Sequence, residues 1–74
     1  MAQKPILLTR HAAQRCLKHN LSPEEIEKII REGEREPEGT TKARYIFQGK
    51  RGVWVAICEE YADQIIVITI TKGR

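Results

Sequence analysis

Gln64-Ile65-Ile66-Val67-Ile68-Thr69-Ile70-Thr71-Lys72 is the most uniformly apolar and most β-branched stretch of the chain. Branched side chains are stiff about χ1 and pack well on a pleated surface, so the run predicts a strand. In an unbroken strand, Ile66, Ile68 and Ile70 point one way and Ile65, Val67, Thr69 and Thr71 the other. A strand that is apolar on one face and mostly apolar on the other belongs inside a sheet, with cover on both sides. The other elements are expected to pack on it.

Two shorter runs upstream share its period. Lys42 to Gln48 places Tyr45 and Phe47 on one face and Arg44, Ile46 and Gln48 on the other. Val53 to Glu59 alternates Val53, Val55 and Ile57 against Trp54, Ala56 and Cys58. Gly49-Lys50-Arg51-Gly52 between them predicts a tight hairpin, and Glu60 to Asp63 predicts the turn into the last strand. Glu34 to Thr41 is polar, contains Pro37 and Gly39, and predicts a loop.

The first third has a helical period. Ile6-Leu7-Leu8 predicts a short first strand after Pro5. Thr9 then caps a helix over Arg10 to His19, with Ala12, Ala13, Cys16 and Leu17 as its apolar face and Asn20 as its left-handed end. Ser22-Pro23-Glu24-Glu25 starts a second helix. Ser22 and Glu25 form a capping box, Pro23 sits at the first helical position, and Leu21 packs on Ile26 as a hydrophobic staple. Ile26, Ile29 and Ile30 form the buried stripe, and Gly33 is the expected left-handed stop. The predicted fold is α+β, in the order β-α-α-β-β-β, with two N-terminal helices on a small, mainly antiparallel sheet. The other face of the sheet is left partly open. It is a candidate surface for a ligand or for a second copy.

The size fits one domain over residues 1–74, with residues 1–4 and 73–74 as frayed tails. A chain this short buries only ~60% of its unfolded surface, which leaves no room for a large buried cofactor. Apolar content of 41% and charged content of 31% are those of a globule. Cys16 and Cys58 are isolated, lie in apolar-periodic segments and read as free buried thiols. No signal peptide or membrane-length run is present, so a reducing cytoplasm is the default location, without membrane contact. The net charge of +3 hides a pattern. Residues 1–20 carry four bases and no acid, residues 21–38 carry seven Glu against three bases, and residues 39–58 carry four bases and no acid. If the two basic blocks meet, they form a face suited to phosphate.

His11 falls near the exposed N–H groups that open the first helix, where anions are attracted. Arg15 lies one turn later on the same side, and Arg10 is adjacent. A His and an Arg around a phosphodiester can act as proton-transfer group and charge clamp. The same residues also suit an ordinary solvated first turn. His19, at the other helix end, reads as structural. Arg44, Lys50 and Arg51 make the second block, a nucleic-acid-contacting candidate together with Arg10. Tyr45 within it either stacks on a base or donates a proton, or is half-buried in the sheet. Trp54 reads as core or interface. Two histidines eight residues apart on one short helix cannot share a metal, and no metal or other cofactor is expected.

Thr9-Arg10-His11-Ala12-Ala13-Gln14-Arg15, followed by Leu21-Ser22-Pro23-Glu24-Glu25-Ile26 and Val67-Ile68-Thr69-Ile70, resembles a family of small bacterial and archaeal proteins classed as a domain of unknown function, DUF4258. The motifs are a T-x-H-A-x-x-R at the first helix and an I/V-I-T at the last strand, and the resemblance covers residues 6–71. Such proteins look similar in layout to toxin ribonucleases of the RelE/BrnT type. The resemblance places His11, Arg15 and Thr69 at the family's marked positions. It implies RNA cleavage by metal-independent transesterification and, as partners, RNA and a cognate antitoxin protein. In that reading His11 is acid or base, Arg15 the phosphate clamp, and Tyr45 or Lys72 an auxiliary group. Thr9, Thr69 and Thr71 support the site. The alternative is a non-catalytic domain that binds a protein or a nucleic acid. The catalytic reading carries a geometric condition: Thr69, Thr71 and Lys72 must lie within reach of His11 and Arg15.

Overall fold

The computed structural model describes residues 4–73. The elements are β1 (Ile6–Leu8), α1 (Arg10–Lys18), α2 (Pro23–Glu32), β2 (Glu34–Pro37), β3 (Lys42–Gly49), β4 (Gly52–Glu60) and β5 (Ile65–Gly73). The five strands form one mixed sheet in the order β1-β5-β4-β3-β2, with β1 parallel to β5 and the other pairs antiparallel. Both helices lie on one face, α1 over β5 and β1, and α2 over β3 and β4. The α+β class and the two helices are as expected; the sheet has one strand more than expected.

The additional strand is β2, in the segment expected to be a loop. Its sequence, Glu-Arg-Glu-Pro, has no apolar alternation, because an edge strand buries little. Its backbone pairs with β3, Arg35 opposite Tyr45 and Glu36 opposite Arg44. Charged side chains then tie it down: Arg35 grips Glu60, and Arg44 reaches Glu36 at 3.0 Å and Glu38 at 3.4 Å. Of the tails expected to fray, residues 1–3 and 74 lie outside the described residues. Gly73 is paired with Val53 in the β4–β5 ladder, and the Lys4 carbonyl accepts a hydrogen bond from Arg31.

β5 departs from simple alternation. Cys58 pairs with Val67 but Ile57 pairs with Thr69, so Ile68 is an extra residue opposite β4. Such a bulge exchanges the faces beyond it. Ile65, Val67 and Ile70 therefore share the buried face beneath the helices, and Ile70 is parted from Ile66. β5 is an interior strand, flanked by β1 and β4.

The helix ends follow their sequence signals. The Ser22 hydroxyl accepts from the Glu25 N–H at 3.2 Å, and the Glu25 carboxylate accepts from the Ser22 N–H at 2.9 Å. Asn20 is left-handed, at φ 61°. Gly33 is extended rather than left-handed, with φ −70° and ψ 161°. A side chain is excluded there by crowding: a Cβ would lie 2.3 Å from the Ile29 carbonyl oxygen and 3.1 Å from that of Ile46. The core joins Ala12 and Cys16 of α1 and Ile26, Ile29 and Ile30 of α2 to Ala43, Tyr45, Trp54, Ala56, Cys58, Ile65, Val67 and Ile70. Cys16 and Cys58 are free and buried, and burial pushes the Cys58 thiol up to about 12. Leu17 corrects the expected apolar face of α1; it is 81% exposed.

Candidate nucleic-acid interface

Thr9 places α1. Its hydroxyl accepts from the Ala12 N–H at 3.1 Å and donates to the Ile68 carbonyl at 3.0 Å, while its own N–H donates to the Val67 carbonyl at 3.1 Å. The bulge residue and the helix cap are thus one joint. From there α1 turns Ala12 and Cys16 to the sheet. Helical spacing puts Arg10, Gln14 and Lys18 in line on the outer side, with His11 and Arg15 beside them. Arg10, His11, Gln14 and Lys18 are exposed and Arg15 is half-buried.

Pairing separates the arginines of α1 from the other described arginines. Arg31 pairs with Glu27, Arg35 with Glu60, Arg44 with Glu36 and Glu38, and Arg51 with Glu25. Among the described residues, Arg10 and Arg15 are the arginines without an acidic partner, and Lys18 has none either. α1 contains no acid. Its outer face therefore carries uncompensated positive charge.

The second basic block reaches α1 at its C-terminal end. Arg51 donates to the His19 carbonyl at 2.9 Å. The His19 ring meets Trp54 edge-on, with centroids 5.3 Å apart. Arg51 and Lys72 approach the same indole, at 6.0 and 5.8 Å from its centroid. Lys72 is the cross-strand neighbour of Trp54. Of the second block it is Arg51 that reaches α1, beside Trp54 and His19, whereas Lys72 belongs to neither block.

This placement divides the residues expected to act together. His11 lies about 12 Å along the helix axis from His19, the neighbour of the Trp54–Lys72 pair. Lys72 is thus at the opposite end of α1 from His11. Thr69 and Thr71 pair with Ile57 and Val55, on the sheet face turned away from the helices. Arg44 lies on that face too, held by Glu36 and Glu38. Tyr45 is 6% exposed, and its hydroxyl donates to Glu60, which also receives Arg35 at 2.6 Å. Of the three expected supports, Thr9 is the one whose side chain hydrogen-bonds to α1, as its cap. The condition that Thr69, Thr71 and Lys72 converge on His11 and Arg15 is not met.

Sequence reasoning passed over three contributors. Lys18 extends the Arg10–Gln14 line by one more turn, a period visible in the sequence. Arg35 and Glu60 hold Tyr45 from strands remote in sequence, and no local pattern marks them. Among the described residues, no cluster of three or more His, Cys, Asp or Glu is placed to hold a metal ion. No helix of the described chain is long and apolar enough to cross a membrane.

Fold and surface together define a small α+β domain that carries a cationic helix on one face of a mixed five-stranded sheet. The family model described as "Domain of unknown function (DUF4258)" matches residues 8–72, and the chain belongs to that family. No curated protein and no solved structure matches it.

Proposed function

We propose that this chain is an RNA-binding domain and that the outer face of α1 contacts the phosphate backbone. The observation that carries this reading is the contrast in pairing: the four described arginines outside α1 are neutralised by glutamates, and those on α1 are not. Phosphate is the partner that a short row of exposed, unpaired cations suits best. Three unpaired cations, exposed Arg10 and Lys18 and half-buried Arg15, correspond to a salt slope of about −2 for single-stranded RNA. Fluorescence polarisation of a labelled strand from low to moderate salt tests this. Lys18→Ala is expected to make the slope shallower by about 0.7. Binding that ignores salt, or survives Arg10→Glu with Arg15→Glu, overturns the reading.

A narrower reading is a ribonuclease of the RelE/BrnT toxin type. It is favoured by exposed His11 standing one turn from Arg15 at the start of α1. Transesterification through the 2′-hydroxyl needs one group to accept a proton and another to donate one. Tyr45 is engaged by Glu60 and Lys72 lies against Trp54, so His11 is left as the only proton-transfer group of the set. That is why binding is the stronger reading. Mixed RNA incubated with the protein in chelator, with and without ribosomes, decides the matter. The ribonuclease reading expects cyclic-phosphate ends that disappear in a folded His11→Ala variant; intact RNA in both arms removes it.

A further inference from the structure

We infer that the groove between α2 and the β3–β4 hairpin receives an unstacked base of a single-stranded RNA whose backbone lies on α1; this rests on the RNA-binding reading above. The groove has a volume of about 790 Å³, within the range of pockets that take small ligands. Its walls come from Leu21 and Ile29 on one side and from the hairpin on the other, with Phe47 and Trp54 as cross-strand neighbours. Trp54 is 4% exposed and forms the floor, whereas Phe47 is only partly buried.

Gly49 lets the Phe47 ring lie close over the turn. A Cβ there would lie 2.9 Å from the Phe47 ring, so a larger residue would push the ring from its seat. Phe47 is partly buried and lines the groove, and an aromatic ring lining a groove is a usual platform for a base freed from its stack.

The charges around the groove suit a nucleotide rather than an apolar peptide. Lys28, Lys50 and Arg51 stand on the rim with Glu25 and Glu32. Arg51 and Glu25 neutralise each other at 3.1 Å, leaving Lys28 and Lys50 against Glu32, an excess of one positive charge. Arg51 also links the groove to α1, through the His19 carbonyl and the Trp54 ring. A strand that leaves the Arg15–Lys18 end of α1 therefore reaches the groove beside Arg51.

The test compares a labelled single-stranded RNA with a strand of equal length and charge that lacks bases. The wild-type protein is expected to bind the base-bearing strand about tenfold more tightly, which is within the range for stacking one base on an aromatic ring. Emission of Trp54, the only tryptophan, is expected to change on adding the base-bearing strand and to stay constant with the abasic one. Phe47→Leu keeps the apolar volume without the aromatic face. It is expected to abolish the preference while leaving abasic binding unaltered, and Phe47→Trp is expected to retain it. Equal binding of the two strands by the wild type overturns the groove inference and leaves the phosphate contact on α1 standing. A tryptophan response that is the same for both strands, or a preference that persists in Phe47→Leu, also overturns it. If neither strand binds, both readings fall. The wild-type measurements decide the inference even if the Phe47 variants do not fold.

Discussion

Replacing Thr9 by Val tests whether one hydroxyl joins the helix cap to the β5 bulge. Valine keeps the branched shape and the backbone N–H, so the bond from that N–H to the Val67 carbonyl survives. Two bonds are lost, one from the Ala12 N–H and one to the Ile68 carbonyl. Loss of a Thr cap costs about 1 kcal/mol, and a part-buried carbonyl left without its donor costs about 1 kcal/mol more. The sum of about 2 kcal/mol is large against the ~4–11 kcal/mol total that a domain of this length commands. It corresponds to a fall in Tm of roughly 8–16 °C. Urea titration followed by Trp54 emission measures it, with thermal melting by circular dichroism as a second probe. The expected result is a lower midpoint with an unchanged m-value, and Thr9→Ser within about 0.5 kcal/mol of wild type because it keeps the hydroxyl. A Thr9→Val protein as stable as wild type, or a Thr9→Ser protein as weak as Thr9→Val, would refute the joint.

Three further outcomes are expected. Gly33→Ala gains a little from a stiffer unfolded chain but forces a Cβ against two carbonyl oxygens, so a net loss of about 2 kcal/mol is expected in the same titration. Glu60→Ala strands the buried Tyr45 hydroxyl and frees Arg35, with an expected cost of about 2 kcal/mol; Tyr45→Phe removes the donor and leaves the Arg35–Glu60 pair, so it is expected to cost less. Hydrogen bonding from the Ser22 N–H, then the charge of Arg51, holds the Glu25 carboxyl below its ordinary value of 4.5. The folded form therefore binds that proton less readily than the unfolded chain. The contribution is complete above the ordinary value and is lost as pH falls through the lower folded one. Glu25→Gln is expected to flatten this part of the acid limb of the stability curve. Ser22→Ala, which keeps the N–H, is expected to cost about 1 kcal/mol and to leave most of the acid dependence in place.

The sequence was most legible where a signal is local. Ser22, Pro23 and Glu25 act within four residues of one another, and Thr9, Asn20 and the Gly49–Gly52 turn are as short-ranged. Each is settled by backbone groups that neighbouring residues cannot avoid presenting. The strands β3 and β4 were legible for a related reason, since one buried face imposes a period of two. β2 was not, because its backbone ladder needs no apolar side chains and its ion pairs come from Arg44 and Glu60, distant in sequence.

The chemistry-bearing residues show the same limit more sharply. Composition and spacing determined that α1 would be a cationic, acid-free helix and that a second basic block would lie at the hairpin. Only the tertiary structure decided that Arg51 of that block would reach the C-terminal end of α1 while Arg44 lies on the other face of the sheet. α1 leaves β1 beside Val67 and ends beside Trp54, so Lys72 lies at its far end from His11. The bulge at Ile68 decided which of the last-strand side chains face the helices and sent Thr69 and Thr71 to the other side. The Gln64–Lys72 run determined by itself that an interior strand would form, because its branched apolar side chains can be buried well in no other way. Its faces depended on a register shift against β4, which is a property of two paired strands and not of either one.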